Sequence, residues 1–177
     1  MSLLDIATDI KNSGFNARKD SVNEGSQNLP EGDYTVILSD AQARISDSGW
    51  ESINYCFEVE APGSDFNGRT QWVMMGTLDT WRKKDGTTMD LTRNVKTTLK
   101  FFEKALTFAD DQMRKSDLED CKTLEDGLKR KAVGTYYILH VTEFKRRNGE
   151  TGYNYDLSEA EQVTTPGVEI SDEDLPF

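Results

Sequence analysis

The stretch Ile53-Asn-Tyr-Cys-Phe-Glu-Val59 decides the fold. Ile53, Tyr55, Phe57 and Val59 alternate with Asn54, Cys56 and Glu58, the period of two that a strand with one face in a core requires. Upstream, Tyr34-Thr-Val-Ile-Leu-Ser39 is equally β-rich and leads to a turn at Ser46-Asp-Ser-Gly49. Downstream, Ala61-Pro-Gly-Ser-Asp65 breaks the strand, and Arg69 to Met75 supplies a third. That strand sets Trp72 and Met74 on one face and Val73 and Met75 on the other. The spacing then changes. Val95, Leu99, Phe102, Leu106 and Ala109 recur at intervals of four and three, widened by Phe101, Ala105 and Phe108, which is one face of a helix. Ser116 and Glu119 have the spacing of a capping box for a second short helix through Leu118 and Cys121. Residues 133–144 return to strand, with Val133, Tyr137, Leu139 and Val141 facing one way. Arg146-Arg-Asn-Gly149 turns the chain into a last strand around Tyr153 to Leu157.

Three strands, a helical block and two strands predict a mainly β fold. The order is that of a five-stranded OB-type barrel with a helical insert between strands three and four. Two separate hairpins beside a helical pair would give the same string. Composition divides the chain into an N-terminal arm or linker (1–32), a folded domain (33–160) and a flexible acidic tail (161–177). Within the arm, Leu3, Leu4, Ile6 and Ile10 form a weak amphipathic pattern, one short helix. Residues 16–32 are polar and contain Gly25, Pro30 and Gly32, the composition of a linker or mobile arm. After Val163 almost nothing can be buried, so the acidic C-terminal tail is expected to be disordered.

The formal charge of −11 is distributed unevenly. From Asp156 to the end there are seven acids and no Lys or Arg, and residues 1–33 hold six acids against three bases, so residues 34–155 carry a net charge of only −1. A local positive groove is all that a phosphate backbone needs, so the overall sign does not exclude nucleic acid. No apolar run approaches the roughly 20 residues of a membrane span, and the first residues lack the pattern of a secretory signal. Cys56 and Cys121 make no disulfide framework. The expectation is a soluble cytoplasmic protein.

Signals for catalysis are weak. His140 is the only histidine, and no cluster of His and Cys surrounds it to hold zinc. There is no glycine-rich phosphate loop, and the acids at Asp110-Asp111 and Asp172-Glu173-Asp174 sit at a helix end and in a flexible tail. A metal-dependent nuclease needs rigidly held carboxylates. The expectation is no enzyme, no metal and no cofactor. Rings and cations, by contrast, are plentiful on the strands and turns. A single strand bound without sequence preference needs flat rings for its bases and cations for its phosphates. The candidates are Trp50, Trp72, Trp81 and Tyr153 for stacking, and Arg69, Arg82, Lys83, Lys145, Arg146 and Arg147 for phosphates. Arg44 and Lys129-Arg130-Lys131 are further cations. Tyr55 and Phe57 share a face with Ile53 and Val59 and are assigned to the core; Trp72 fits either core or platform.

The chain ends Glu169-Ile-Ser-Asp-Glu-Asp-Leu-Pro-Phe177. This terminus resembles the acidic tip of bacterial single-stranded DNA-binding proteins. The body, through Gly32-Asp-Tyr-Thr-Val, Phe66-Asn-Gly-Arg69 with Trp72, and Gly134 to Val141 followed by Arg146-Arg-Asn-Gly149 and Tyr153, is similar to phage-encoded OB-fold single-stranded DNA-binding proteins. The resemblance covers about residues 30–160 and the last nine. It implies coating of single-stranded DNA during replication, recombination or repair, in the host cytoplasm if the chain is phage-encoded. It also implies recruitment of replication or recombination proteins by Asp172, Glu173, Asp174, Leu175, Pro176 and Phe177. No cofactor and no membrane are implied. A homo-oligomer is compatible with it, but the helical insert (90–130) and the polar arm depart from the bacterial tetramer. The rival reading is an OB-type protein-interaction adaptor or inhibitor that does not bind DNA.

Overall fold

A computed structural model describes residues 2–14, 17–18 and 28–162. Helix α1 (Leu3–Asn12) precedes three strands, β1 (Gly32–Ile45), β2 (Glu51–Val59) and β3 (Thr70–Gly76). A small hairpin, β4 (Thr80–Arg82) and β5 (Thr88–Asp90), leads to α2 (Thr92–Thr107). A 3-10 turn at Lys115–Leu118 joins this to α3 (Cys121–Lys131), and β6 (Tyr136–Lys145) and β7 (Thr151–Glu159) follow. Five antiparallel strands form one sheet in the order β3-β2-β1-β6-β7. The mainly β class, the five strands and the helical insert between the third and fourth of them are as the sequence predicts. The closed barrel is not: among the described residues β3 and β7 are the sheet's two edges, with no ladder between them.

Side chains and a helix occupy that seam. The buried Gln71 on β3 accepts a hydrogen bond from Leu29 N–H at 2.7 Å and sets its amide nitrogen 3.2 Å from the Tyr155 hydroxyl on β7. Burial, reinforced by Tyr153, pushes the Tyr155 phenol up to about 12, so it stays a donor and reaches Asn28 Oδ1. Helix α2 bridges the same two edges. Thr98 Oγ1 donates to the Gly76 carbonyl at 2.7 Å, and two turns later Lys104 Nζ pairs with Asp156 at 2.7 Å. Leu29 is fully buried, so the packed unit begins upstream of the boundary expected at 32/33. The polar stretch hid one apolar anchor.

The inner face of the sheet meets the helices. Val36, Leu38, Tyr55, Phe57, Val73, Tyr137, Leu139 and Leu157 are fully buried against Phe101, Phe102, Ala105 and Leu106 of α2 and Leu124 and Leu128 of α3. The Tyr55 ring meets Phe101 edge-on at 4.9 Å, and Tyr137 donates to the Ala105 carbonyl at 2.7 Å. Trp72 and Met74 lie on the other face, 46% and 67% exposed. Of the apolar stripe predicted for α2, Phe101, Phe102, Ala105 and Leu106 are buried, whereas Val95, Leu99 and Phe108 are half-buried and Thr98, outside the predicted stripe, is buried. The second helix also starts later than Ser116 and Glu119 suggest. Its cap is Asp120, whose carboxylate accepts Thr123 N–H at 2.8 Å, because Ser116 lies inside the 3-10 turn. Helix α1 forms as predicted, capped by Ser2 and Asp5, with no buried residue.

Strand β1 serves both halves of the sheet. It pairs with β6 over Gly32–Ile37 and with β2 from Val36 to Ile45, with a bulge in the β2 register between Leu38 and Asp40. Past the bulge, the N–H groups facing away from β2 need other acceptors, because an unpaired buried amide is costly. Leu38 N–H finds the Thr135 carbonyl, Ala41 N–H its neighbour Asp40, and Ala43 N–H the Glu125 carboxylate of α3 at 2.7 Å.

Candidate functional site

A cleft of about 810 Å³ lies at the seam. Met74–Gly76 of β3 form one wall, Tyr153–Asp156 of β7 the other, and one face of α2 the third. Trp50 stands at the β3 end. The turn that sequence placed at Ser46–Gly49 holds it there: Trp50 N–H donates to Ser46 Oγ at 3.0 Å, and Ser46 N–H to the Trp50 carbonyl at 2.8 Å. Its ring lies on Gly76, where a Cβ would come within 2.7 Å of the indole. Against Trp50 rests Trp81 of β4, edge-on at 5.3 Å and 80°. Trp81 is the half-buried residue of an otherwise exposed hairpin, so this ring contact ties the hairpin to the sheet. Gly76→Ala is expected to displace Trp50, cost about 1 kcal/mol by overpacking and abolish the paired-indole signal in circular dichroism while the sheet signal stays. An unchanged indole signal would show that the pair does not depend on the bare backbone at 76.

Of the residues sequence singled out, Trp50 and Tyr153 line the cleft, and Trp81 joins them through Trp50. Arg82 and Lys83 are exposed on the hairpin beyond Trp81; Lys145, Arg146 and Arg147 are exposed at the tip of the β6–β7 hairpin, past Tyr153. Trp72 lies on the outer face of β3, in a cross-strand row with Cys56 and Asp40. Arg69 precedes the far end of β3, its guanidinium 5.4 Å from the Phe66 ring. Neither Trp72 nor Arg69 lines the cleft. The tip residues Asp172, Glu173, Asp174, Leu175, Pro176 and Phe177 lie outside the described residues.

Sequence reading missed Arg93 and Lys100, both on the α2 wall of the cleft. Among the described residues neither has an ion-pair partner, whereas Lys104 on the same helix is paired with Asp156. A signal was there: Arg93, Lys96, Lys100 and Lys104 recur at helical spacing beside the apolar stripe. The triple Lys129-Arg130-Lys131 is spent inside the protein. Lys129 pairs with Glu125 at 2.8 Å, Arg130 with Asp111 and Asp117 at 2.7 and 2.9 Å, and Lys131 donates to the Asp110 carbonyl.

His140 has partners that sequence did not reveal. Its Nδ1 is 2.6 Å from Asp33 and its Nε2 2.5 Å from Ser158 Oγ. The three residues sit on adjacent strands of the sheet surface, and none of them lines the cleft. Their contacts link β1, β6 and β7. Among the described residues no group of three or more His, Cys, Asp or Glu is placed to hold a metal ion. No described helix is long and apolar enough to cross a membrane. No protein-family model matches this chain, and no curated protein matches it.

Proposed function

We propose that this protein binds single-stranded DNA largely without regard to sequence. The observation that carries the reading is the seam cleft, where Trp50 and Tyr153 stand beside Arg93 and Lys100, which have no ion-pair partner among the described residues, in a chain of net negative charge. Rings give every base a stacking surface and cations take the phosphates, a combination indifferent to sequence. Arg82 and Lys83 on one hairpin and Lys145, Arg146 and Arg147 on the other extend the basic surface beyond both ends of the cleft. Strand order, a first strand shared by both halves and helices inserted after the third sheet strand support an OB-type architecture, here bridged at its seam by α2. The resemblance to phage-encoded single-stranded DNA-binding proteins points the same way. On this reading Asp172–Phe177 presents an anionic run and a terminal ring to replication or recombination proteins.

Titration with oligo-dT is expected to quench a substantial part of the tryptophan emission. The affinity should exceed that for duplex of equal length and fall with salt in proportion to the phosphates neutralised. A chain lacking residues 169–177 should bind DNA as well or better. Equal affinity for duplex and oligo-dT in dilute buffer would overturn the reading. The adaptor reading, which the exposed Trp72 and Met74 favour as an apolar contact surface, would then take its place.

A further inference from the structure

We propose that the bound strand runs through the seam between β3 and β7 with its phosphates on α2, at Arg93 and Lys100, and its bases turned toward Trp50 and Tyr153. This rests on the single-strand reading and says which surface serves it. Two surfaces compete for the role: the seam, and the outer face of β1–β3 that carries Trp72.

Charge decides between them. On the outer face, antiparallel register sets Asp40 in the row of Cys56 and Trp72, and Glu58 opposite Thr70 one row on. Arg44, in the row of Ser52 and Gly76, is the one cation those rows contribute. A phosphate drawn to Trp72 would approach two carboxylates. In the seam the balance is reversed. Asp156 is answered by Lys104 at 2.7 Å, which leaves Arg93 and Lys100 in excess.

Geometry agrees. Arg93 and Lys100 are seven residues apart on one continuous helix, which at 3.6 residues per turn is two turns, so both project from the same face about 10 Å apart. Opposite that face stand Trp50, fixed by its seat on Gly76, and Tyr153. Phosphate contacts on one wall and rings on the other are what an extended strand with splayed bases requires. The cleft volume of about 810 Å³ has room for a short run of nucleotides.

The test is an oligo-dT titration of the full chain and its variants at several salt concentrations. Arg93→Ala and Lys100→Ala are each expected to weaken binding about tenfold in dilute buffer and to reduce the log–log salt slope by about 0.7. Arg93→Lys should restore most of the loss. Lys96→Ala, on the same helix but outside the cleft, should stay within twofold of the parent. Melting curves confirm that each variant is folded. If the parent binds oligo-dT and both alanine variants match it, or if Lys96→Ala loses as much as Lys100→Ala, the seam path is wrong while the single-strand reading survives. If the parent itself shows no preference for oligo-dT over duplex, the reading falls and takes the path with it.

Discussion

Arg130→Ala is expected to destabilise the fold by about 3 kcal/mol, because it leaves a buried carboxylate without its counter-ion. Asp117 is 4% exposed and receives two guanidinium bonds, at 2.9 and 3.2 Å, while Arg130 Nε reaches Asp111 at 2.7 Å. The same guanidinium holds the Asp117 carboxyl below its ordinary value, against the opposing effect of burial. Arg114 adds a backbone N–H bond at 2.9 Å and a weaker attraction, but only Arg130 grips both carboxylate oxygens with its guanidinium. Asp117 sits over Gly127, where an added Cβ would lie 3.1 Å from both its carboxyl carbon and the Phe102 ring, so α2, α3 and the 3-10 turn meet at this point. Urea denaturation of the variant measures the loss; a change below about 1 kcal/mol would mean that water reaches Asp117 freely. A double variant with Asp117→Ala should recover part of the deficit, since it removes the more buried of the two carboxylates that Arg130 pairs. In the fraction that stays folded, the salt slope for oligo-dT should equal that of the parent, because Arg130 lies off the proposed path.

That last expectation marks where the sequence misleads. Lys129-Arg130-Lys131 and Lys145-Arg146-Arg147 look alike as strings, yet the first is consumed by Glu125, Asp111, Asp117 and the Asp110 carbonyl, and the second is exposed at a hairpin tip. The difference lies in partners up to 21 residues away in sequence, and no local pattern reports them. What is local was legible. Ile53, Tyr55, Phe57 and Val59 face the core as their alternation demands, and the Ser46–Gly49 and Arg146–Gly149 turns stand where Gly and polar residues put them. The β4–β5 hairpin was not legible, because strands of three residues carry too few positions to show a period. The open seam was not legible either. Whether β3 meets β7 depends on Gln71, Tyr155, Thr98 and Lys104, four polar side chains whose roles appear only once the strands are placed. The residues of the proposed path divide the same way: Trp50 and Tyr153 stand out by type, whereas Arg93 and Lys100 join the cleft only because α2 lies across the seam.

Acid is expected to loosen the fold at β1, through Glu125. Burial raises the pKa of this carboxyl, but hydrogen bonds from Lys122, Lys129 and Ala43 N–H more than offset that, holding it at about 2 against an ordinary 4.5. A group held lower in the folded chain binds fewer protons there than in the unfolded chain. Its stabilisation is therefore complete above about pH 4.5 and is lost as pH falls toward 2. For a shift of this size the contribution amounts to about 2–3 kcal/mol. Glu125→Gln removes the titration and most of the attraction to the two lysines, while the amide oxygen can still accept from Ala43. The variant should be the less stable protein at pH 7, and the gap should narrow as the pH is lowered to 3 and below. Asp111 and Asp117, also held low, titrate in parent and variant alike, so the difference between the two urea midpoints isolates Glu125. Midpoints separated by the same amount at pH 7 and pH 3 would show that the carboxylate's charge is not what pins Ala43. The consequence reaches the cleft. Ala43 stands three residues before Ser46, whose hydroxyl and amide hold Trp50. Protonating Glu125 is therefore expected to loosen the strand end that seats Trp50 at the cleft.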